Sequence, residues 1–419
     1  GYYGGGFYNM VRVDAFSIFF HMVVLLIALV VILTSYEYLE VQHLKVGEYY
    51  ALILFGAVGM MLMSSAVELV LVFIALEISS ISTYILAGIR RRAAESAESS
   101  LKYFLLGSFA TAFFLYGVAL MFGATGSTNV YDIAQVLRTQ HSTLAYLAMG
   151  LMFVGLGFKV ASAPFHVWTP DVYEGSPAPV VALMSTGPKA AAFAVLLRVL
   201  FASGAPGWFW MIWVSAALSM TLGNIGALVQ SNVKRLLAYS SIAHAGYLLV
   251  AFAAAQQVGI SAAIFYAASY AAMNVGAFAV VSHFASTNER YITLDDYAGL
   301  GRRSPLLAAI LTIFLLSLIG IPITGGFFAK FYVFSAALQA NLVGLTIIGV
   351  INSAIAAYYY LRVIVYMYMR DERVEAPVAR IPAGLGVGLA ISLAATIYLG
   401  VLPGRVLEYA LRGAQDLMK

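Results

Sequence analysis

Cysteine is absent from this 419-residue chain, and charge is scarce: Asp, Glu, Lys and Arg make up 10% of it. Without thiolates the chain cannot ligate an iron–sulfur cluster through cysteine or carry out thiol chemistry. A soluble globular protein carries about 25% charged residues, so the deficit excludes a soluble fold. The start, GYYGGGFYN, has no basic region ahead of an apolar core, so no cleavable signal peptide is read there. It also lacks an initiator Met, and residues are expected before Gly1. The sequence holds no phosphate loop, nucleotide fingerprint or metal-ligand cluster. No cofactor, metal or nucleic acid is therefore expected on this chain itself.

What is present is apolar: 62% of the residues are hydrophobic. They fall in repeated runs of about 20, the length of a membrane-crossing helix. An outer-membrane barrel would need alternating segments of about 10 residues, and these do not dominate. The expected fold is an all-α polytopic membrane protein with twelve spans, at 14–35, 49–66, 68–89, 101–123, 144–168, 178–202, 208–230, 236–256, 259–284, 306–337, 342–368 and 381–402. No soluble domain fits between them. The longest connections, about 124–143 and 285–305, read as loops or short surface helices.

Lysine and arginine set the orientation. One side holds Lys45, Arg90, Arg91, Arg92, Lys102, Lys234, Arg235, Arg290, Arg302, Arg303, Arg370, Arg373 and Arg380. The other holds Arg12, Arg138, Arg405, Arg412 and Lys419. Thirteen against five places the first side in the cytoplasm and both chain ends in the periplasm. A bacterial inner membrane is the expected location.

Two spans are too irregular to be straight helices. The fifth contains Lys159 and Pro164, and the proline is expected to free the Val160 carbonyl. The tenth, about 32 residues long, contains Gly320-Ile-Pro-Ile-Thr-Gly-Gly326 and Lys330, and Pro322 is expected to free the Leu318 carbonyl. Freed backbone groups are tolerated at membrane depth only beside protein or water. The two irregular spans are five apart, which indicates a duplicated five-helix unit. An odd number of crossings inverts the second copy. The chain reads as one membrane domain, 1–419, with a first unit at 49–202, an inverted second unit at 208–368 and a final span at 381–402.

Four ionisable residues stand out inside the spans: Glu77, Lys159, Lys189 and Lys330. Each costs about 2.5–3.5 kcal/mol at depth on insertion scales. Glu77 has 9 span residues before it and 12 after it, too central to snorkel. Burial disfavours the charged form of both lysine and carboxylate. Such groups suit a proton relay, and a glutamate close to a lysine would act as its switch. In KRLLAYSSIAHAGY, Ser240, His244 and Tyr247 share a helix face. That stripe carries either a water chain with His244 titrating, or satisfied packing. Ser79, Ser80, Ser82 and Thr83 read as helix-packing contacts. His21 and His283 read as structural or interfacial, while His166 fits either role. The 27 tyrosines and 4 tryptophans read mostly as interface belts and packing.

FKVASAPFHVWTPDVYEGSPAPVV (158–181), TGPKAAAF around Lys189, KRLLAYSSIAHAGY (234–247) and GIPITGGFFAKFY (320–332) together carry a family resemblance. Nearly the whole chain is similar to the antiporter-like subunits of proton-pumping NADH:quinone oxidoreductase, respiratory complex I. That family also includes subunits of Mrp-type cation/proton antiporters. The resemblance implies fourteen core helices, of which this chain lacks the first two. It also implies that Glu77 is the family's membrane glutamate and Lys159 its partner. Lys189 would be the bridging lysine, and Lys330 the lysine of the second broken helix. Pro188 departs from the small or branched residue common there, which leaves the local helix course open.

The function implied is proton translocation driven by quinone reduction in other subunits. Iron–sulfur clusters, flavin and quinone would sit in those subunits. The implied partners are the other membrane subunits, sister antiporter-like ones included, together with lipid, protons and buried water. The alternatives are an Mrp-type sodium/proton antiporter subunit and the equivalent subunit of a ferredoxin-linked relative. A scaffold that no longer pumps is disfavoured, because all four ionisable positions are occupied.

Overall fold

The computed structural model describes residues 4–44, 46–140, 142–203, 208–254, 256–285, 289, 291–372 and 381–418. Gly1 and the orientation-setting Lys45, Arg290, Arg373, Arg380 and Lys419 lie outside the described residues. A hairpin of β1 (Gly4–Gly6) and β2 (Val11–Val13) leads into α1 (Ala15–Val41). Then come α2 (Val46–Ser65), α3 (Leu69–Ala87), α4 (Ala94–Thr125) and a surface helix, α5 (Val130–Thr139). The first broken span is α6 (Thr143–Val160) with α7 (Trp168–Gly175), followed by α8 (Ala178–Ser203). The second half opens with α9 (Trp208–Leu228), α10 (Val233–Ala253) and α11 (Gln257–Ala285). A short surface helix, α12 (Leu300–Arg303), leads to the second broken span, α13 (Pro305–Ile319) with α14 (Gly325–Gln339). The chain closes with α15 (Val343–Met369), α16 (Ala383–Val401) and α17 (Pro403–Met418).

Among the described residues, eleven helices are long and apolar enough to cross a membrane. The α13–α14 pair supplies the twelfth span, so every expected crossing is present. The expected inverted repeat follows from parity, because the two broken spans lie five crossings apart. Helices α8, α10 and α11 are apolar all round and buried all round, which places them at the centre. Helices α1, α4 and α15 instead turn large apolar side chains outward, among them Leu25, Phe109 and Tyr358. That face suits lipid.

The breaks differ from expectation in one respect: the prolines stand in the connections, outside the helices. Helix α6 stops at Val160, where Ala161 takes the left-handed conformation (φ 57°), and Pro164 follows later. Helix α13 stops at Ile319, with Gly320 at φ 95° and Pro322 beyond it. A glycine adopts that φ without a Cβ penalty. Pro188, by contrast, lies within an uninterrupted α8.

The two half-helices of the second break touch at Gly326. A Cβ there would overlap the Ser317 carbonyl oxygen. Gly326→Val is therefore expected to cost about 1–3 kcal/mol through overpacking. It should lower the thermal inactivation midpoint of the assembled protein, and an unchanged midpoint would show that the break can open freely.

Helix α17 was not legible as an element. It buries Ala410, Gly413, Ala414 and Leu417 against α1 and α11. The signal was the apolar spacing from Val406 through Ala410 to Leu417, overlooked because the segment lies beyond the last span.

Candidate functional site

Lys159 lies in the last turn of α6 and is 5% exposed. Its Nζ donates to Tyr84 Oη at 3.2 Å. It also sits over the rings of Tyr84 at 4.8 Å, Tyr103 at 5.2 Å and Phe158 at 5.9 Å. Trp168 of α7 stacks on Tyr103 at 4.4 Å and closes this cage. The break therefore brings α3, α4, α6 and α7 to one ammonium. Aromatic faces stabilise a desolvated cation by about 2 kcal/mol, without fixing its protons.

Lys330 lies after its break instead of before it, on α14. Its Nζ reaches back to the Leu318 carbonyl at 3.1 Å and the Ile319 carbonyl at 2.8 Å. The third donor goes to Ser353 Oγ at 2.9 Å. All three ammonium protons are thus engaged. The Leu318 carbonyl freed by the break has found the buried lysine. Lys330 Nζ ends at the carbonyl end of the α13 half-helix and Lys159 stands in the last turn of α6, where the macrodipole favours a cation.

Lys189 is 3% exposed on α8. Its Nζ donates to the Ser241 carbonyl at 3.1 Å and to Ser241 Oγ on α10. Ser241 Oγ also accepts from Tyr270 Oη at 2.8 Å. His244 follows one turn on, its ring centre 5.1 Å from that of Tyr270. His244 Nδ1 is bonded to Tyr266 Oη at 2.6 Å and Nε2 to Tyr360 Oη at 3.3 Å. Tyr360 in turn meets Ser240 Oγ. Tyr247, beside His244, lies under Lys330 Nζ at 4.8 Å from its ring centre. Tyr247 Oη also accepts from Asn224 at 3.2 Å. A polar axis therefore runs from Lys189 through His244 to Lys330. A cavity of about 20 Å³ beside Lys189, Ser241, His244 and Tyr270 has room for about one water molecule.

Glu77 does not form the expected close pair with Lys159. Among the described residues no Glu77 ion pair occurs, although the two side chains interact electrostatically. Glu77 Oε1 is enclosed and has no hydrogen-bond partner there. The pairing failed because the aromatic cage, invisible in the sequence, takes the ammonium. Ser80, Ser82 and Thr83 bond back to their own helix, as packing residues do. His21 bonds the Met61 carbonyl and Ser65, and His283 pairs with Glu37 at 3.1 Å. His166 stays outside the axis, with Nδ1 unpartnered among the described residues.

Three groups went unread in the sequence. Tyr266, Tyr270 and Tyr360 were assigned to packing but carry the axis. Lys234 counts among the loop charges in the sequence reading, and Arg198, inside the 178–202 span, has no role there, yet both are buried. Arg198 on α8 donates to Asp14 Oδ2 at 3.1 Å and Oδ1 at 3.2 Å, and to the Ser64 carbonyl at 3.0 Å. On the opposite face, α7 is tied down by its acids. Arg235 donates to Asp171 at 2.7 Å and Glu174 at 2.8 Å, and Lys102 to Asp171 at 3.0 Å. Partial burial works to raise the Asp171 carboxyl, but hydrogen bonds from Arg235 and Lys102 outweigh it and hold it below the ordinary value.

Two inverted five-helix units, each interrupted beside a buried lysine, define an antiporter-like membrane protein. A family model described as NADH:quinone oxidoreductase/Mrp antiporter, TM matches residues 66–356. The chain is 76% identical over 418 residues to NADH-quinone oxidoreductase subunit N 2 of Koribacter versatilis, covering 99% of this chain and 85% of that one. A chain of respiratory complex I from Thermus thermophilus is 40% identical, with a TM-score of 0.82 over 95% of this chain and 87% of its own. A chain of the Mrp complex from Dietzia sp. DQ12-45-1b, 22% identical, shares the fold with a TM-score of 0.88 over 98% of this chain and 84% of its own. The chain belongs to the NADH:quinone oxidoreductase/Mrp antiporter transmembrane family, and within it to the subunit N type.

Proposed function

We propose that this chain is a proton-translocating membrane subunit of NADH:quinone oxidoreductase. It moves protons from cytoplasm to periplasm through Glu77, Lys159, Lys189 and Lys330, with His244 joining the last two. The row of polar and aromatic contacts from Lys189 through Ser241, Tyr270, His244 and Tyr247 to Lys330 carries this reading. The chain is a non-redox subunit with no cofactor of its own. Iron–sulfur clusters, flavin and quinone belong to other subunits, and quinone reduction there drives the protons. Its partners are the other membrane subunits, including sister antiporter-like ones. It works in a bacterial inner membrane, with both ends of this chain periplasmic. The two units span 49–202 and 208–368, with a further span at 381–402.

The test is made on the assembled complex in sealed vesicles. NADH-driven quinone reduction is expected to build a pH gradient that persists in sodium-free medium and collapses with a protonophore. A gradient that requires sodium would overturn the reading in favour of sodium/proton exchange.

A further inference from the structure

The glutamate–lysine pair expected around Glu77 exists elsewhere. Lys234, in the first turn of α10, has no exposed surface, and its Nζ lies 2.8 Å from Glu289 Oε2. Its second contact is the Ser176 carbonyl at 2.6 Å. Glu289 is held from two further sides. Its Oε1 accepts from Tyr38 Oη at 2.6 Å and from the Ala178 backbone N–H, at the start of α8, at 2.9 Å. Glu289 also lines a polar cavity of about 360 Å³ together with Glu95, Glu98, Lys102, Asp171 and Glu174. That cavity lies on the side with the arginine- and lysine-rich loops. Lys234 thus stands one carboxylate away from an acidic basin.

The other direction leads inward. Ser176 Oγ and Tyr173 Oη are both buried and have no hydrogen-bond partner among the described residues. Buried hydroxyls left unpaired are costly and call for an explanation. Tyr173 interacts with Ser241 and Tyr270, the residues that meet at Lys189. Ser241 and Lys234 also share a face of α10, seven residues or about 10 Å apart along the axis.

We propose that Lys234 is the entry residue of the relay. It takes protons from the basin through Glu289 and passes them by Ser176 and Tyr173 to Ser241 and Lys189. In each transfer the Lys234 ammonium gives one proton to the hydroxyl chain and is left as an amine. A Glu289 carboxyl protonated from the basin returns one. The net change is one proton moved inward, with no other bond altered. Glu174 and Arg90 also act on Lys234 from neighbouring elements, with Tyr38 beyond Glu289. Arg235, Asp171 and Lys102 complete the charged surroundings.

The inference rests on the proton-relay reading, so the test separates the two. Lys234→Gln, Glu289→Gln, Tyr173→Phe and Lys189→Ala are compared as assembled complexes in vesicles, with the basin side facing the medium. Lys234→Gln and Glu289→Gln are expected to slow pumping about tenfold in mildly alkaline medium. Their rates should recover as the medium is acidified, because loading from bulk becomes limiting. A loss of equal size at every pH would mean a structural role and overturn the proposal. Tyr173→Phe removes the hydroxyl and keeps the ring packing, so the complex should still assemble and pumping should fall severalfold. Normal pumping by Tyr173→Phe overturns the hydroxyl route. If Lys189→Ala fails while Lys234→Gln and Glu289→Gln pump normally, only the entry assignment falls. If Lys189→Ala pumps normally, the relay itself falls.

Discussion

Lys159→Ala is expected to lower proton pumping and quinone reduction together, by about tenfold or more, in a complex that assembles normally. The two halves of that expectation have separate causes. Among the described residues Lys159 makes a single hydrogen bond, to Tyr84, and otherwise touches ring faces. Losing the cation–ring attraction costs about 2 kcal/mol. Removing a charge from membrane depth returns about 2.5–3.5 kcal/mol. The terms nearly cancel, so stability should change little. On the proposed relay, in contrast, a proton carrier is gone. Lys330, with three acceptors, is held much more firmly than Lys159. On the proposed relay, the looser group is the one that exchanges between Tyr84 and Glu77. Lys159→Arg sharpens the test, because a guanidinium keeps the charge but does not release its proton. If Lys159→Arg pumps as wild type, the residue supplies field and not protons. If Lys159→Ala leaves both rates intact, it is structural. Reduction that persists while pumping drops would show a genuine relay whose coupling slips.

The spans and both breaks were legible because each rests on local chemistry. Apolar runs of bilayer length, Gly320, Pro322 and Pro164 act on the residues beside them. The buried lysines were legible because a charge inside such a run has few explanations. Their partners were not, because partners come from distant parts of the chain. Tyr84 is 75 residues from Lys159, and Tyr360 is 116 from His244. Nothing local separates Tyr266, Tyr270 and Tyr360 from the rest of the 27 tyrosines. Lys234 failed for a related reason. A lysine at the first turn of a span looks the same whether it snorkels to water or turns inward to Glu289. Only the packing of α8 against α10 and α11 decides it.

Arg198 posed the same ambiguity, and it carries the largest stability effect expected here. Arg198 and Asp14 are 2% and 3% exposed, joined by two hydrogen bonds. Arg198→Met leaves the Asp14 carboxylate buried with, among the described residues, only Arg12 Nε, 3.7 Å away, as a charge partner. Breaking one side of a buried pair costs about 3–5 kcal/mol. The variant complex is expected to lose that much in thermal denaturation, or to fail assembly. Asp14 also caps α1, accepting from the Ser17 N–H at 2.7 Å. Asp14→Asn keeps an acceptor for that cap and removes the charge. The double variant Arg198→Met with Asp14→Asn should therefore recover most of the loss, since replacing a whole buried pair is often neutral. The location gives the pair its consequence. Arg198 fixes α8 to the start of α1 and, through the Ser64 carbonyl, to the end of α2. Lys189 rides on the same α8, two and a half turns away, and meets Ser241 at hydrogen-bond distance. A slip of α8 along its axis would break that contact. Pumping in the double variant should then stay below wild type even where stability returns. If the single and double variants melt alike, the pair is not coupled and the anchoring of α8 lies elsewhere.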